Sequence, residues 1–501
     1  MNMSTLKKPA VSQGFFAVLL LIQPPLDVLS YFMQSLEATA VTTAIRTFLL
    51  FAVSLYGFAI TDRRKVYWAF YAGIAGFWLL HALNCLRVGY ADPLADGGEF
   101  LKLAQFPLWT LSFITLLRQG AGGRGWAEGV LSLNFVVILL IIALSFATGL
   151  PEYTYAGAKI GFLGWFAVPT AQSAIVSMLT PALLFCAWRT QRLWVFCLAS
   201  ALGFGLLYCT GTRLAYFSAI LIAAAFLPGI LLAGGRQRLC CIPLAAALVV
   251  LVLCRNASPM AQRRAAADQS YDIYQAQADQ IMGEDRDFRF TGEPLPEDLA
   301  GKIRRVYEEV YTQENAAGQP LLGDLLERFG TDRVMAHYQY TTKASVLYHV
   351  RTKKLAVLEM SWEDQDMLTK ALGMEYANSQ INGNPYDPEN DFPALFYYYG
   401  YLGTALYLLF AGYFLWALLA GFFKNLSRLA GYITPELTAY AVMFCLGLGA
   451  AQFSGNVLRR PSVTVYLALA GAAIFCLTRG DREGKLFARY ERRPSVTMKK
   501  L

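Results

Sequence analysis

Residues 127–148, AEGVLSLNFVVILLIIALSFAT, hold a single charged residue, Glu128, in 22 positions. A run of this length and apolarity suits a helix crossing a ~30 Å hydrocarbon layer, for which about 20 residues are enough. Working outward, similar windows recur at about 13–34, 42–61, 66–86, 100–118, 170–189, 192–209, 213–234, 237–254, 392–420, 435–453 and 461–478, twelve in all with the first. Composition agrees: of 501 residues, 56% are hydrophobic and 16% charged, whereas ordinary soluble domains are about one quarter charged. The expected fold is an all-α membrane protein of about twelve transmembrane helices. The window at 13–34 reads as a retained span and not a cleaved signal. It is long, contains Pro24, Pro25 and Asp27, and has no small-residue cleavage site after it.

Lysine and arginine in the short connections set the expected orientation. With the amino terminus inside, the inner segments carry 21 cations, among them Lys7, Lys8, Arg63, Arg64, Lys65, Arg118, Arg124 and eight from Arg479 onward. The short outer connections hold five: Arg87, Lys159, Arg213, Arg459 and Arg460. Both termini are therefore expected in the cytoplasm. The expected division is a nine-span bundle over 1–254, an extracytoplasmic helical loop over 255–391 between the ninth and tenth spans, three spans over 392–478, and a basic cytoplasmic tail over 479–501.

The long polar stretch has 15 Lys/Arg against 23 Asp/Glu, so the net charge of +8 conceals +16 on the remainder. Topology and anionic lipid account for that surplus. Nucleic acid is not an expected partner, since no basic surface gathers on a soluble domain. All nine cysteines fall within or beside the apolar windows, which suggests packing residues and not disulfides or a metal site. Helix starts are expected at Ser258-Pro259, Pro294–Asp298 and Thr331-Asp332, and SWED at 361–364 resembles a capping box. These give four to six short amphipathic helices. The segment 153–170, interrupted by Gly161, Gly164 and Pro169, is expected to be an interfacial helix or re-entrant turn.

Several ionisable residues stand within or at the ends of spans: Asp27, Arg46, His81 and Lys102. Charge in hydrocarbon costs at least ~2.5 kcal/mol, so such groups face a cavity or a partner, or snorkel to the interface. Arg213 in CTGTRLAYFSA occupies a tight turn at Gly211. It is either paired with an acid of the polar segment or part of a clamp for an anionic group, since guanidinium donors match phosphate oxygens in pairs. In NPYDPENDFPALFYYYGYLG, 384–403, Asp387, Glu389 and Asp391 precede an apolar run. They either cap the helix that follows or supply a general base beside a cavity.

ENDFPALFYYYGYLG resembles the signature closing the large outer loop of the O-antigen ligase and polymerase superfamily of bacterial membrane glycosyltransferases. There a His-Asn pair is followed at a fixed interval by Gly-x-x-Gly. TGTR at 210–213 is similar to that family's Thr-Gly-Ser-Arg turn, and GFLGWFAVPTAQSAI to its Gly-Phe segment. Counting back from Gly400, the family's His falls on Glu389, so the resemblance implies that Glu389, or Asp391, acts as base. It also implies an arginine roughly fifty residues upstream. Arg333 is the first choice and Arg351 the second, flanked by His337 and His349. The implied donor is a glycan on undecaprenyl diphosphate, with Arg213, Arg333, Arg46 and Arg459 binding the diphosphate, and transfer inverting. The implied acceptor is a hydroxyl of a glycan, lipid or wall polymer at the bilayer's outer face, without metal or cofactor. A transporter or flippase of lipid-linked saccharide, or a non-catalytic scaffold for surface-polymer assembly, would suit twelve spans equally.

Overall fold

The computed structural model describes residues 13–36, 38–119, 126–314, 321–455 and 457–479. Lys7, Lys8, Arg124 and the tail beyond Arg479 lie outside the described residues. Ten described helices are long and apolar enough to cross a membrane, which makes this a multi-pass membrane protein. Leu193–Cys209 and Gln237–Leu253 are apolar but shorter. The Pro24–Pro25 pair lies in the first turn of the helix Gln23–Ser35, just after Ile22, where absent N–H groups cost nothing.

Pro169–Arg189 and Pro461–Arg479 are the innermost spans, while Arg64–Val88 and Asp391–Lys424 present most of their surface outward. Small residues explain the central position of Pro461–Arg479. Its run of Ala468, Ala470, Gly471, Ala472 and Ala473 is buried and lets neighbouring backbones approach closely. Gly447 likewise lies against Leu467 and Met178. The nine cysteines are all free thiols.

The polar segment has its own core, built on Tyr307, Tyr311, Leu325, Met335 and Met360. Ser258 caps the helix Pro259–Met282 by accepting from Ala261 N, as its sequence suggests. Two expectations fail here. SWED closes the helix Val350–Glu363 instead of opening one, and Asp366 caps the next helix by accepting from Thr369 N. Among the described residues, seven α-helices form between Pro259 and Leu372, more than the four to six expected, because short turns such as Ala344–Leu347 carry no amphipathic period to detect. A third correction concerns 153–170. Strands Tyr153–Tyr155 and Ile160–Phe162 pair as a hairpin, since Gly161, at φ +75°, packs against Thr210 and Thr154 where a helix would not fit.

Two glycines lock the polar segment to the spans. The helix Asp391–Lys424 is broken at Gly400 (φ 62°, ψ −167°), opposite Gly373 at φ 98°. A Cβ on Gly400 would meet the backbone of Ala371 and Gly373 at 2.6 Å. Met374 N donates to Tyr397 O at 3.0 Å across this contact. Beside it, His81 joins Asp96 at 3.0 Å and Leu372 O at 2.9 Å, and Asn84 donates to Thr369 at 3.1 Å. Gly400→Ala is expected to lower stability by at least about 2 kcal/mol, from the left-handed backbone plus the clash. Gly412→Ala, with open space around it, should be neutral or slightly stabilising. Thermal unfolding of the two variants in one detergent, followed by tryptophan fluorescence, compares them.

Candidate active site

The helix that opens at Asp391 is preceded by Asn390, whose side chain makes no cap bond. Asp387 and Asp391 are turned instead toward residues 457–459. Asp391, fully buried, accepts from Val457 N at 2.7 Å, Leu458 N at 3.1 Å and Arg459 Nε at 3.2 Å. Arg459 also donates to Asp387 at 2.5 Å and to Pro388 O, with Glu99 3.9 Å away. Tyr398 donates its hydroxyl to Asp387 at 2.9 Å. Burial opposes the charge on Arg459, but Asp387 and Asp391 outweigh it and raise its pKa above the ordinary arginine value. The loop reaches this position because Gly455, at φ +78°, presses on the Glu389 carbonyl, where any Cβ would collide.

Behind this clamp lies a cavity of about 350 Å³. Arg46 donates to Asp27 at 2.7 Å from one wall, yet its Nε has no partner among the described residues. Lys102 pairs with Glu99. Gln172 donates to Leu163 O at 2.7 Å, while its buried Oε1 is unpartnered among the described residues. Arg460 lines the same space and makes no ion pair among the described residues. Burial lowers its pKa, with Asp27 partly countering and Arg46 adding to the shift. Ser30, Thr42, Thr43 and Ser462 supply hydroxyls. The cavity is thus polar, cationic and walled by spans, and three of its buried or half-buried groups keep hydrogen-bonding capacity unused. Such capacity is costly unless a ligand or water takes it up.

Glu389 does not line the cavity; it follows the cavity-lining Asp387 by two residues, with its carbonyl against Gly455. Arg351 donates to it at 2.6 Å, with Lys354 3.9 Å away, and Arg351 also donates to Phe453 O at 3.2 Å. His349, which reaches solvent, titrates below the usual imidazole value. Desolvation is the main cause; the charges of Arg351, Arg263 and Arg213 add to it, and Glu389 opposes them. Arg213 is exposed at the start of its helix, which is capped by Thr212 through a bond accepted from Ala215 N. Arg333 is placed elsewhere. It pairs with Asp364 at 2.9 Å and Glu363 at 3.2 Å and donates to Met360 O at 2.7 Å.

Comparison with known families finds a match over residues 11–478 to the family described as O-antigen ligase like membrane protein. The chain belongs to this family. No curated protein matches it. Membership makes it a membrane glycosyltransferase-like protein of ligase or polymerase type. Of the expected residues, Arg46 and Arg459 line the cavity together with Asp387, while Asp391 is bound to Arg459 and Glu389 to Arg351. The charge of Arg213 is felt at His349, beside Arg351, whereas Arg333 is committed to Asp364 and Glu363.

Arg460, Gln172 and Lys102 complete the cavity wall and were not among the expected diphosphate ligands. Adjacency in Arg459-Arg460-Pro461 was the available signal for Arg460. No local pattern marks Gln172, which the span Pro169–Arg189 carries inward. Replacing Asp391 with Asn should cost about 3–5 kcal/mol, the usual penalty for leaving a buried charge without its partner. The double variant Asp391→Asn with Arg459→Gln should recover part of that loss, and a double-mutant cycle on thermal unfolding measures the coupling.

Proposed function

We infer that the chain transfers a glycan from undecaprenyl diphosphate to an acceptor hydroxyl at the outer face of a bacterial cytoplasmic membrane. Both termini are then cytoplasmic, with 1–254 and 392–478 forming the bundle, 255–391 lying outside and 479–501 inside. The observation that supports this reading is the cavity in which, among the described residues, Arg46 Nε has no hydrogen-bond partner and Arg460 no ion pair, with Asp387 in its wall two residues before Glu389. Guanidinium groups and Lys102 would neutralise the diphosphate leaving group and stabilise the charge that grows on it.

Glu389 is the proposed base. Of the three acids it is the one neither buried nor tied to Arg459, with 29% of its side chain exposed. It accepts the acceptor's O–H proton as that oxygen bonds the anomeric carbon from the face opposite the diphosphate. The anomeric C–O bond breaks and its electron pair leaves with the diphosphate, so the linkage inverts. Arg351 holds Glu389 and acts as its positioning residue, taking the place first assigned to Arg333. Asp391 and Arg459 hold the loop that presents Arg460, and Arg213 serves near His349.

Glu389→Gln and Arg460→Ala, each at normal membrane abundance, should each reduce finished polymer at least about a hundredfold, as removal of a proton acceptor or charge stabiliser does. Lipid-linked glycan should then accumulate on the outer leaflet. Donor held on the inner leaflet would instead indicate transport, and unchanged polymer would sink the site.

A further inference from the structure

Two adjoining clefts, of about 520 and 590 Å³, open on the polar segment and share Phe290 as their common wall. Phe290 is exposed and rests against Tyr340 with ring centroids 4.9 Å apart. The residues around this pair are unusual in two respects. Gln339 and Tyr340 are successive non-glycine residues with φ of 51° and 54°, a conformation that collects where surroundings impose it for function. Tyr338 lines the first cleft and is 7% exposed, yet its hydroxyl has no hydrogen-bond partner among the described residues. A buried hydroxyl in that state calls for an explanation, and a bound molecule in the cleft that Tyr338 lines would supply one.

The chemistry of the walls selects the occupant. Aromatic faces at Phe288, Phe290 and Tyr340 alternate with polar groups, including His337 bonded to Glu359 at 3.1 Å and the hydroxyls of Tyr338, Thr341 and Thr352. A lipid chain would want walls without these polar groups. A nucleic acid would want a cationic groove, whereas here Arg289, Lys343 and Arg304 face Glu359, Glu293, Glu297 and Asp332. Pyranose rings offer the complementary surface, with apolar C–H faces for the aromatics and hydroxyls for the polar groups.

The groove also adjoins the proposed reaction centre. On the helix Val350–Glu363, Thr352, Leu355 and Glu359 line it, at the 3- and 4-residue spacing of one helical face. Arg351 and Lys354, one residue before Thr352 and Leu355, approach Glu389 from the neighbouring face. The geometry points to an oligosaccharide-binding groove over Phe290, Tyr338 and Tyr340 that holds several sugar units of a glycan leading to Glu389. This rests on the glycan-transfer reading for its role, though not for its binding chemistry. The glycan is either the donor's sugar chain or the acceptor's.

The test uses the full-length chain, with Phe290→Ala and with Tyr338→Phe, which removes only an unpartnered hydroxyl and leaves packing intact. Saturation-transfer NMR on purified protein in nanodiscs would use a mixture of neutral two- to six-unit oligosaccharides as probe. Sugar-ring signals should appear with the native chain and fall at least about fivefold in Phe290→Ala, with a smaller fall in Tyr338→Phe. Polymer made in cells should fall by a similar factor. Less lipid-linked glycan copurifying with Phe290→Ala would assign the groove to the donor, and unchanged copurification with lowered transfer would assign it to the acceptor.

If no sugar receives saturation from the native chain, or the native and variant chains behave alike in both assays, the groove is overturned. A captured protein segment in its place would overturn it too. Polymer lost in Glu389→Gln but normal in Phe290→Ala would reject the groove alone. Sugar binding with polymer unaffected by Glu389→Gln would reject the transfer reading alone.

Discussion

A guanidinium group at the junction of three chain segments organises this protein. Arg459 is buried, and its donors reach Asp391, Asp387 and the Pro388 carbonyl at once. An ion taken so far out of water is stable only where opposite charge and hydrogen bonds surround it. That requirement draws the first residue of the helix Asp391–Lys424, the loop before it and the loop 454–460 to one point. The position of Arg460, facing the cavity, and of Glu389, two residues before Asp391, follows from it.

The three acids before that helix have separate physical roles. Asp391 accepts from two backbone N–H groups and Arg459 and is inaccessible. Asp387 is shared between Arg459 and Tyr398. Glu389 is held by Arg351 and remains partly exposed to solvent. Charge is similarly divided among the cations: Arg459 is paired with Asp387 and Asp391, Arg46 with Asp27 although its Nε has no partner among the described residues, and Arg460 makes no ion pair among them.

The polar segment is fastened to the spans by backbone contact as well as by charge. Gly373 against Gly400 brings two segments closer than any Cβ permits, and His81, Asn84 and Arg87 tie one span to Thr369, Leu372 and Asp366 alongside. The cap is therefore registered on the membrane bundle, which keeps the helix Val350–Glu363 and its Arg351 over Glu389.

Much of this was legible in the chain itself, because apolar length and the cost of charge in hydrocarbon act locally. The expected spans at 192–209 and 237–254 form shorter apolar helices, while the other ten of the twelve expected spans, the helical polar segment and the Ser258 cap follow from residue type and spacing. So does the glycine at 400, although the sequence could not say that it meets Gly373. Which acid is buried, which arginine meets Glu389, and which cations make no ion pair among the described residues depend on groups far apart in the chain, as with Arg459 and Glu99 or Arg351 and the Ser454 carbonyl. Arg333 and Arg351 are equivalent by composition and differ only in what the folded segment sets opposite them. The hairpin at 153–162 was hidden for the same reason, since its glycine answers to Thr154 and Thr210 and not to its neighbours in sequence. Local physics determined what the elements are, and long-range electrostatics and backbone contact decided where their functional groups meet.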